Sequence, residues 1–310
     1  MLELETCLPR SCGLGPENRL PFLPTTRRQF IRLAATAGVA ALALDTTLIA
    51  PNLPRIVCQE ISLQRWPGRL EGFTIALLSD FHYDPYFSVH PLRSSISMVN
   101  GLHPDLIVLT GDFVTDPFSD DKADKAKAAH AAEPCARLLR QMQAPYGLWA
   151  VMGNHDAATD PNRVTDSLRT HGIQVLSNQS VPIEGGGARF WLAGVDDVME
   201  RRSDLDAALH NVPTNEFVIL LAHEPDFADY VARFPVDLQV SGHSHGGQVR
   251  IPFVRPLWLP PFAKKYIWGL YKIGGLTLYT NPGLGTVGVP VRMNCPPEIT
   301  LLTLHRSASA

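Results

Sequence analysis

Cysteine is scarce and unpatterned in this chain: five residues in 310, Cys7, Cys12, Cys58, Cys135 and Cys295, and no CxxC pair. Such an odd, scattered set argues against a disulfide framework and against thiolate metal ligation, and leaves small core residues or idle thiols. Charge is also sparse. With 18% charged residues and a net charge of −3, nothing suggests a nucleic-acid surface, and no nucleic-acid partner is expected. No self-similarity at a solenoid period is visible. What remains is a globular composition, 45% apolar, with length enough for one large domain or two smaller ones.

The amino-terminal stretch differs from the rest. Thr25-Thr-Arg-Arg-Gln-Phe-Ile-Arg32 precedes a mildly apolar run, Leu33 to Leu44, rich in Ala, Gly and Thr. Twin arginines ahead of such a run resemble a twin-arginine export signal, whose machinery moves proteins already folded. An enzyme that loads metals before export gains from that route, because its ligands are assembled first. The alternative is an uncleaved membrane anchor, since no clean Ala-x-Ala follows and Asp45 interrupts the run. Either way the working domain is expected outside the inner membrane, in the periplasm, the cell wall or on the outer face of that membrane. Residues 1–24 are long for such a leader and read as lying upstream of its natural start. The expected division is therefore 1–50 as signal or anchor and 51–310 as the catalytic domain.

From Arg55 the chain alternates short apolar runs with helical stretches. Arg55–Leu63 reads as an opening strand. Phe73–Leu78 is almost wholly apolar, as a strand buried on both faces requires, and delivers Asp80-Phe-His82 at its carboxyl end. In an extended chain the i, i+2 spacing points Asp80 and His82 to one side. A helix over 90–101 and a strand over 105–110 follow, ending in Gly111-Asp112; strand, helix, strand makes a βαβ unit that brings both carboxylates to one sheet edge. The charge run Asp120–Lys127 reads as a solvated face or mobile loop. A third strand, 146–152, ends in Gly153-Asn154-His155-Asp156 and precedes a helix over 161–171. Strands are expected over 174–176, 181–184 and 189–194, with Gly185-Gly-Gly187 as a hairpin turn. The strand 217–222 carries His223 at its end, and 237–240 leads into Gly242-His243-Ser-His245-Gly-Gly247, where flanking glycines let both imidazoles reach one point. Strands over 276–280 and 298–304 close the sheet.

Five blocks of hard or borderline ligands at strand ends are the pattern of a two-metal site. In that order, DxH, GD, GNHD, a lone His after a strand, and GHxH, they resemble the calcineurin-like metallophosphoesterase superfamily. Asn281-Pro-Gly-Leu-Gly and Asn294-Cys-Pro-Pro-Glu look like its exported bacterial branch. The resemblance implies a four-layer α/β sandwich of two mixed sheets flanked by helices. It also implies two divalent ions, one held by Asp80, His82, Asp112 and His245 and the other by Asp112, Asn154, His223 and His243. Two carboxylates against two such ions leave net positive charge, which suits an anionic phosphate and in-line attack by water. Imidazole, carboxylate and amide without thiolate favour Mn, Fe, Zn or Co. His155, not a ligand in the family, is the expected catalytic residue, stabilising the transition state or protonating the leaving oxygen. Asp156 is either an orienting carboxylate or merely structural.

The block Gly111-Asp-Phe-Val-Thr-Asp116 lacks the Arg that protein phosphatases of this superfamily carry after GD, which disfavours that activity. The stretch Ile251–Tyr271 alternates Pro252, Pro256, Pro260 and Pro261 with six aromatic residues near Arg250, Arg255, Lys264 and Lys265. It reads either as a core-covering loop or as a cleft wall suited to a lipid or membrane surface. The expected activity is a phosphodiesterase acting on an envelope or lipid-linked phosphate ester. A pyrophosphatase of UDP-2,3-diacylglucosamine is the alternative enzyme, opposed by the export signal because nucleotide sugars are cytoplasmic. A metal-containing binding or scaffold domain is the non-enzyme alternative, opposed by the complete ligand set.

Overall fold

Strands that are apolar at every position need a packed layer on each side. Those runs form the centres of two six-stranded mixed sheets in the structure, a computed structural model that describes residues 26–307. Residues 1–24, with Cys7 and Cys12, and Thr25 of the leader motif lie outside the described residues. The first sheet runs β1 (Arg55–Leu63), β12 (Glu298–Arg306), β2 (Phe73–Leu78), β3 (Leu106–Leu109), β4 (Leu148–Ala150), β5 (Gln174–Val175). Here β2 to β5 are parallel, β12 is antiparallel to β2, and β1 is parallel to β12. The second runs β10 (Gly269–Ile273), β11 (Leu276–Thr280), β9 (Leu238–Ser241), β8 (Val218–Leu221), β7 (Ala188–Gly194), β6 (Gln179–Gly185). Its four central strands are parallel and both edges antiparallel.

Alternation along each strand divides the core into three parts. Ile75 and Leu77 of β2 meet Ile219 and Leu221 of β8 between the sheets. Ala76 and Leu78 face the other way, against α2 (Val89–Leu102), α4 (Ala132–Leu139) and α6 (Pro161–Thr170). Val218 and Leu220 face α7 (Leu205–Leu209) and α8 (Ala228–Val231). The result is the four-layer α-β-β-α sandwich. Each fully buried Leu, Ile or Phe contributes roughly 1.5–3 kcal/mol, so the middle layer, with Trp66, Phe73, Phe190 and Phe217 packed ring to ring, is what holds the sheets together.

Local signals explain the helix starts. Pro161 occupies the first turn of α6 and Asp160 accepts from the Arg163 N–H; Asp204 accepts from Ala207 N–H at the start of α7. Of the two readings of the charge run at 120–127, the solvated face holds and the loop does not. The run forms α3 (Lys122–Ala129), capped by Asp121, with its charges in solvent. The two closing strands do not share a sheet: β11 pairs in the second and β12 in the first. The partner of β11 at the sheet edge, β10, which begins inside the stretch read as a covering loop or cleft wall, was not expected.

Contact density divides the chain into Met1–Leu42 and Ala43–Ala310. In the first unit lies most of α1 (Arg27–Leu44), which has no buried side chain. Helical turns continue from it to Asn52, and this segment of 26 residues, with an 18-residue stretch of mean hydropathy 1.7, is long and apolar enough to cross a membrane, as signal sequences also are.

Candidate metal centre

The blocks are delivered by strand ends from both sheets. Asp80 and His82 follow β2, Asp112 follows β3, Asn154 to Asp156 open α5 (Asn154–Ala158) after β4, His223 follows β8, and His243 and His245 follow β9. The loops after β2 and β3 continue the ladder beyond the strands: Asp80 N–H donates to Gly111 O, His82 N–H to Asp112 O and Tyr83 N–H to Phe113 O.

The extended geometry expected for Asp80 and His82 is not what brings them together. Both are left-handed, at φ 52° and 41°, and so are Asp112, His243 and His245 at 57°, 66° and 49°. Each such non-glycine residue costs roughly 1–2 kcal/mol, and the cost is tolerated because the crossed loops leave no alternative. The motif glycines answer to close approach. A Cβ on Gly242 would overlap Ser79 Oγ and stand 2.5 Å from Asp80 Oδ2, and one on Gly153 would overlap Asp112 Oδ1.

Ligand-type atoms of Asp80, His82, Asp112 and His245 lie within 4.8 Å of one another, and so do those of Asp112, His223 and His243. Asp112 belongs to both groups. Its Oδ2 is 3.2 Å from His223 Nε2 and 3.5 Å from His82 Nε2, and its Oδ1 accepts the His155 N–H. All six residues are buried. Asn154 turns a buried Oδ1 that meets no donor.

Burial pushes Asp80 up to about 6, the His223 charge opposing and the Asp112 charge assisting. It drives His82 and His243 down to about 3 and His245 well below the usual imidazole range. All three are therefore neutral at pH 7, the form that ligates. For His223 burial also opposes charge, but the adjacent Asp112 carboxylate holds it well above the ordinary value; burial likewise opposes the Asp112 charge, yet His223 and His155 hold it well below.

The donor set fits divalent cations on a second count. The Thr110 carbonyl takes the His223 Nδ1 proton at 2.5 Å, so the lone pair of a neutral ring faces the Asp112 carboxylate. His82 Nε2 and His245 Nε2 stand 3.1 Å apart, close enough to share one proton or to face one cation. Buried carboxylate and imidazole atoms this close need a proton or a cation between them, and six residues meet in the two groups. Imidazole, carboxylate and amide suit a first-row divalent metal, and both Cys135 and Cys295 are free, buried thiols outside the groups.

Partners behind the cluster set its orientation. Asp156 accepts from four backbone N–H groups, Asp112 and Gly153 on Oδ2, Phe113 and Val114 on Oδ1, and so ties the β3 and β4 loops together. Burial and the Asp112 charge push it up to about 8, but four donors leave no acceptor for a carboxyl proton, and the geometry favours the carboxylate. His243 Nε2 donates to Pro261 O, leaving Nδ1 toward the cluster. His155 Nδ1 accepts the Asp116 N–H, which puts the proton of a neutral ring on Nε2, and its ring meets those of His82 and Phe118 edge-on. The remaining histidines, His90, His103, His130, His171, His210 and His305, belong to neither group.

Three supports lie outside the five ligand blocks. Asp226 accepts from Lys264, Lys265 and Tyr266 N–H groups and so holds the loop that presents Pro261. Asn281 bridges Gly283 N–H to Thr300, while Leu284 and Gly285 N–H donate to Ser79 and Asp80 carbonyls. Arg292, wholly buried, spends its guanidinium on the carbonyls of Pro282, Gly283, Gly285 and Cys295. A lone Arg and a lone Asp carry no spacing signal; only the glycines at 283 and 285 hint at a crowded turn.

Calcineurin-like phosphoesterase is the family description that matches, over residues 73–247. The uncharacterized metallophosphoesterase YkuE of Bacillus subtilis is 36% identical, covering 90% of this chain and 97% of that protein. Phosphodiesterase YaeI of Escherichia coli is 32% identical over 75% of this chain and 82% of its own. A transmembrane protein with metallophosphoesterase domain of Danio rerio is 32% identical over 91% of this chain, which spans 63% of that relative. Among solved structures, a dimetal phosphatase from Danio rerio is 14% identical, covering 69% of this chain and 88% of that one at a TM-score of 0.40.

Proposed function

The chain belongs to the calcineurin-like phosphoesterase family, as a metal-dependent phosphoesterase, and on that premise we propose that it is a phosphodiesterase acting on an envelope or lipid-linked phosphate ester. The observation that carries the reading is the pair of ligand groups meeting at Asp112 with His155 beside them. In this reading Asp80, His82, Asp112 and His245 hold one divalent ion, and Asp112, Asn154, His223 and His243 the other. Bound there, the ions supply Lewis-acid stabilisation of the phosphoryl oxygens and a more acidic water. The chain's own residues do the rest. Asp112 is fixed between the groups by the His155 N–H and by Asp156. His155, with its proton on Nε2, is the donor available to a phosphoryl or leaving oxygen.

The relative named a phosphodiesterase supports the diester over the monoester. We read residues 1–50 as a twin-arginine signal or anchor and 51–310 as the catalytic domain, working in the periplasm, the cell wall or on the outer face of the inner membrane. The amino-terminal helix and the relative named a transmembrane protein support that placement. The test uses the full-length chain, stripped and reloaded with Mn, Zn, Fe or Co, on an aryl phosphodiester, an aryl monoester and UDP-2,3-diacylglucosamine. Metal-dependent release from the diester, with little from the other two, is the expected result. Preference for the sugar nucleotide would move the protein to lipid A synthesis and count against export.

A further inference from the structure

A cavity of about 320 Å³ opens directly off the ligand turn. Its floor is Gly247 and Gln248, following His245, and its walls include Phe118, Val249, Leu257, Trp258, Val287 and Val289. Phe118 ties it to the reaction centre, since the ring stands 5.6 Å from that of His155, edge-on. The one long polar side chain in the lining is already spent. Gln248 Nε2 donates to Val287 O and Val289 O, and its Oε1 accepts the Val287 N–H. No side-chain hydrogen-bonding group beyond the indole of Trp258 is left there for a polar ligand. Yet Phe118, Leu257 and Trp258 are 74%, 70% and 61% exposed, a concentration of large apolar surface that isolated surface residues do not produce.

On the other side of the strip 286–290 lies a second cavity, about 760 Å³, that is chemically different. It reaches His82 and mixes Asp84, Thr115, Asp124 and Lys127 with apolar residues such as Phe87 and Pro117, and it shares Gly288 and Val289 with the first. The first cavity thus offers almost only apolar walls beside the ligand turn, whereas the second, at His82, carries charged and hydroxyl groups among its apolar ones. A phosphodiester has two substituents. With phosphorus at the cluster, they would leave in these two directions.

Resting on the phosphodiesterase reading, we propose that the arm formed by Phe118, Val249, Leu257, Trp258, Val287 and Val289 binds a hydrocarbon chain of the substrate, so that the enzyme takes amphiphilic phosphodiesters with one apolar and one polar substituent. Apolar area fixes the expected size of the effect: each methylene seated in the arm raises kcat/KM by roughly three- to fourfold until the cavity is filled.

The test has two arms, both on the full-length chain. In the first, the Mn-loaded enzyme is given 4-nitrophenyl alkyl phosphodiesters with chains from methyl to decyl, all below their micellar concentrations. The ratio of decyl to methyl kcat/KM should be high in the native protein and fall at least tenfold in Trp258→Asp, while Tyr230→Ala, a surface aromatic on α8, keeps it. In the second, without metal, a non-hydrolysable alkylphosphonate brominated near its chain end should quench tryptophan fluorescence in the native protein and lose most of that effect in Trp258→Phe. A flat chain-length series with the methyl ester still hydrolysed overturns the proposal and leaves the phosphodiesterase reading standing. Failure to hydrolyse any diester counts against that reading instead, and the quenching result then decides the apolar arm alone. Quenching by brominated phosphatidylcholine vesicles but not by the monomeric phosphonate also overturns it, making the surface a membrane-docking face.

Discussion

His155 is oriented by a backbone N–H, not by a carboxylate, and this separates its role from that of the buried ligand groups. Replacing it with Ala should lower kcat roughly 10²–10⁴-fold while both metals remain bound, as read by elemental analysis; metal loss would make the ring a ligand instead. Arg292 works at a distance. Burying its charge is costly, and burial pulls its proton affinity down, but four carbonyls take its donors. Arg292→Met leaves the Pro282, Gly285 and Cys295 carbonyls without their donor, Gly283 O keeping the Glu298 N–H, and the urea midpoint should fall by an amount equivalent to about 2–4 kcal/mol. An unchanged midpoint would mean that the loop under Asp80 holds without it. Residue types at the centre were legible because hard ligands at strand ends are rare in combination. Their left-handed backbone was not, since nothing in an Asp or a His encodes φ; only the neighbouring glycines register the crowding.

At the scale of elements, legibility followed burial. β2, β3 and β8 are apolar at nearly every position because layers cover both faces, and these and the equally buried but half-polar β9 were readable with their following motifs. β10 was not, because as a half-covered edge strand its Gly-Leu-Tyr-Lys-Ile carries no long apolar run. α3 was obscured by its own charges, which a solvated helix tolerates on every side. The loop 260–266 owes its shape to Asp226, so Asp226→Ala should free the Pro261 carbonyl from His243. The expected result is a roughly 10–100-fold weaker affinity for one of the two ions, with activity restored at high metal concentration. A variant that titrates both ions like the parent would show the loop to be held by other contacts.

For the whole molecule, the sandwich was legible from element order and motif order together, whereas the pairing of the last two strands with different sheets depends on long-range packing that no local pattern states. The leader is a separate matter. If Arg27 and Arg28 engage the twin-arginine machinery, replacing both with Lys should hold the folded protein in the cytoplasm, as cell fractionation would measure; undiminished export would assign the segment another route. The pairing of β1 with β12 has a consequence in time. Among the described strands β1 has one neighbour, β12, which also separates it from β2. A nascent chain makes β1 long before its partner, so until Glu298–Arg306 has left the ribosome both β1 and β2 wait with open edges. Synthesis of β12, more than the order of strands in space, sets the moment at which this domain can close.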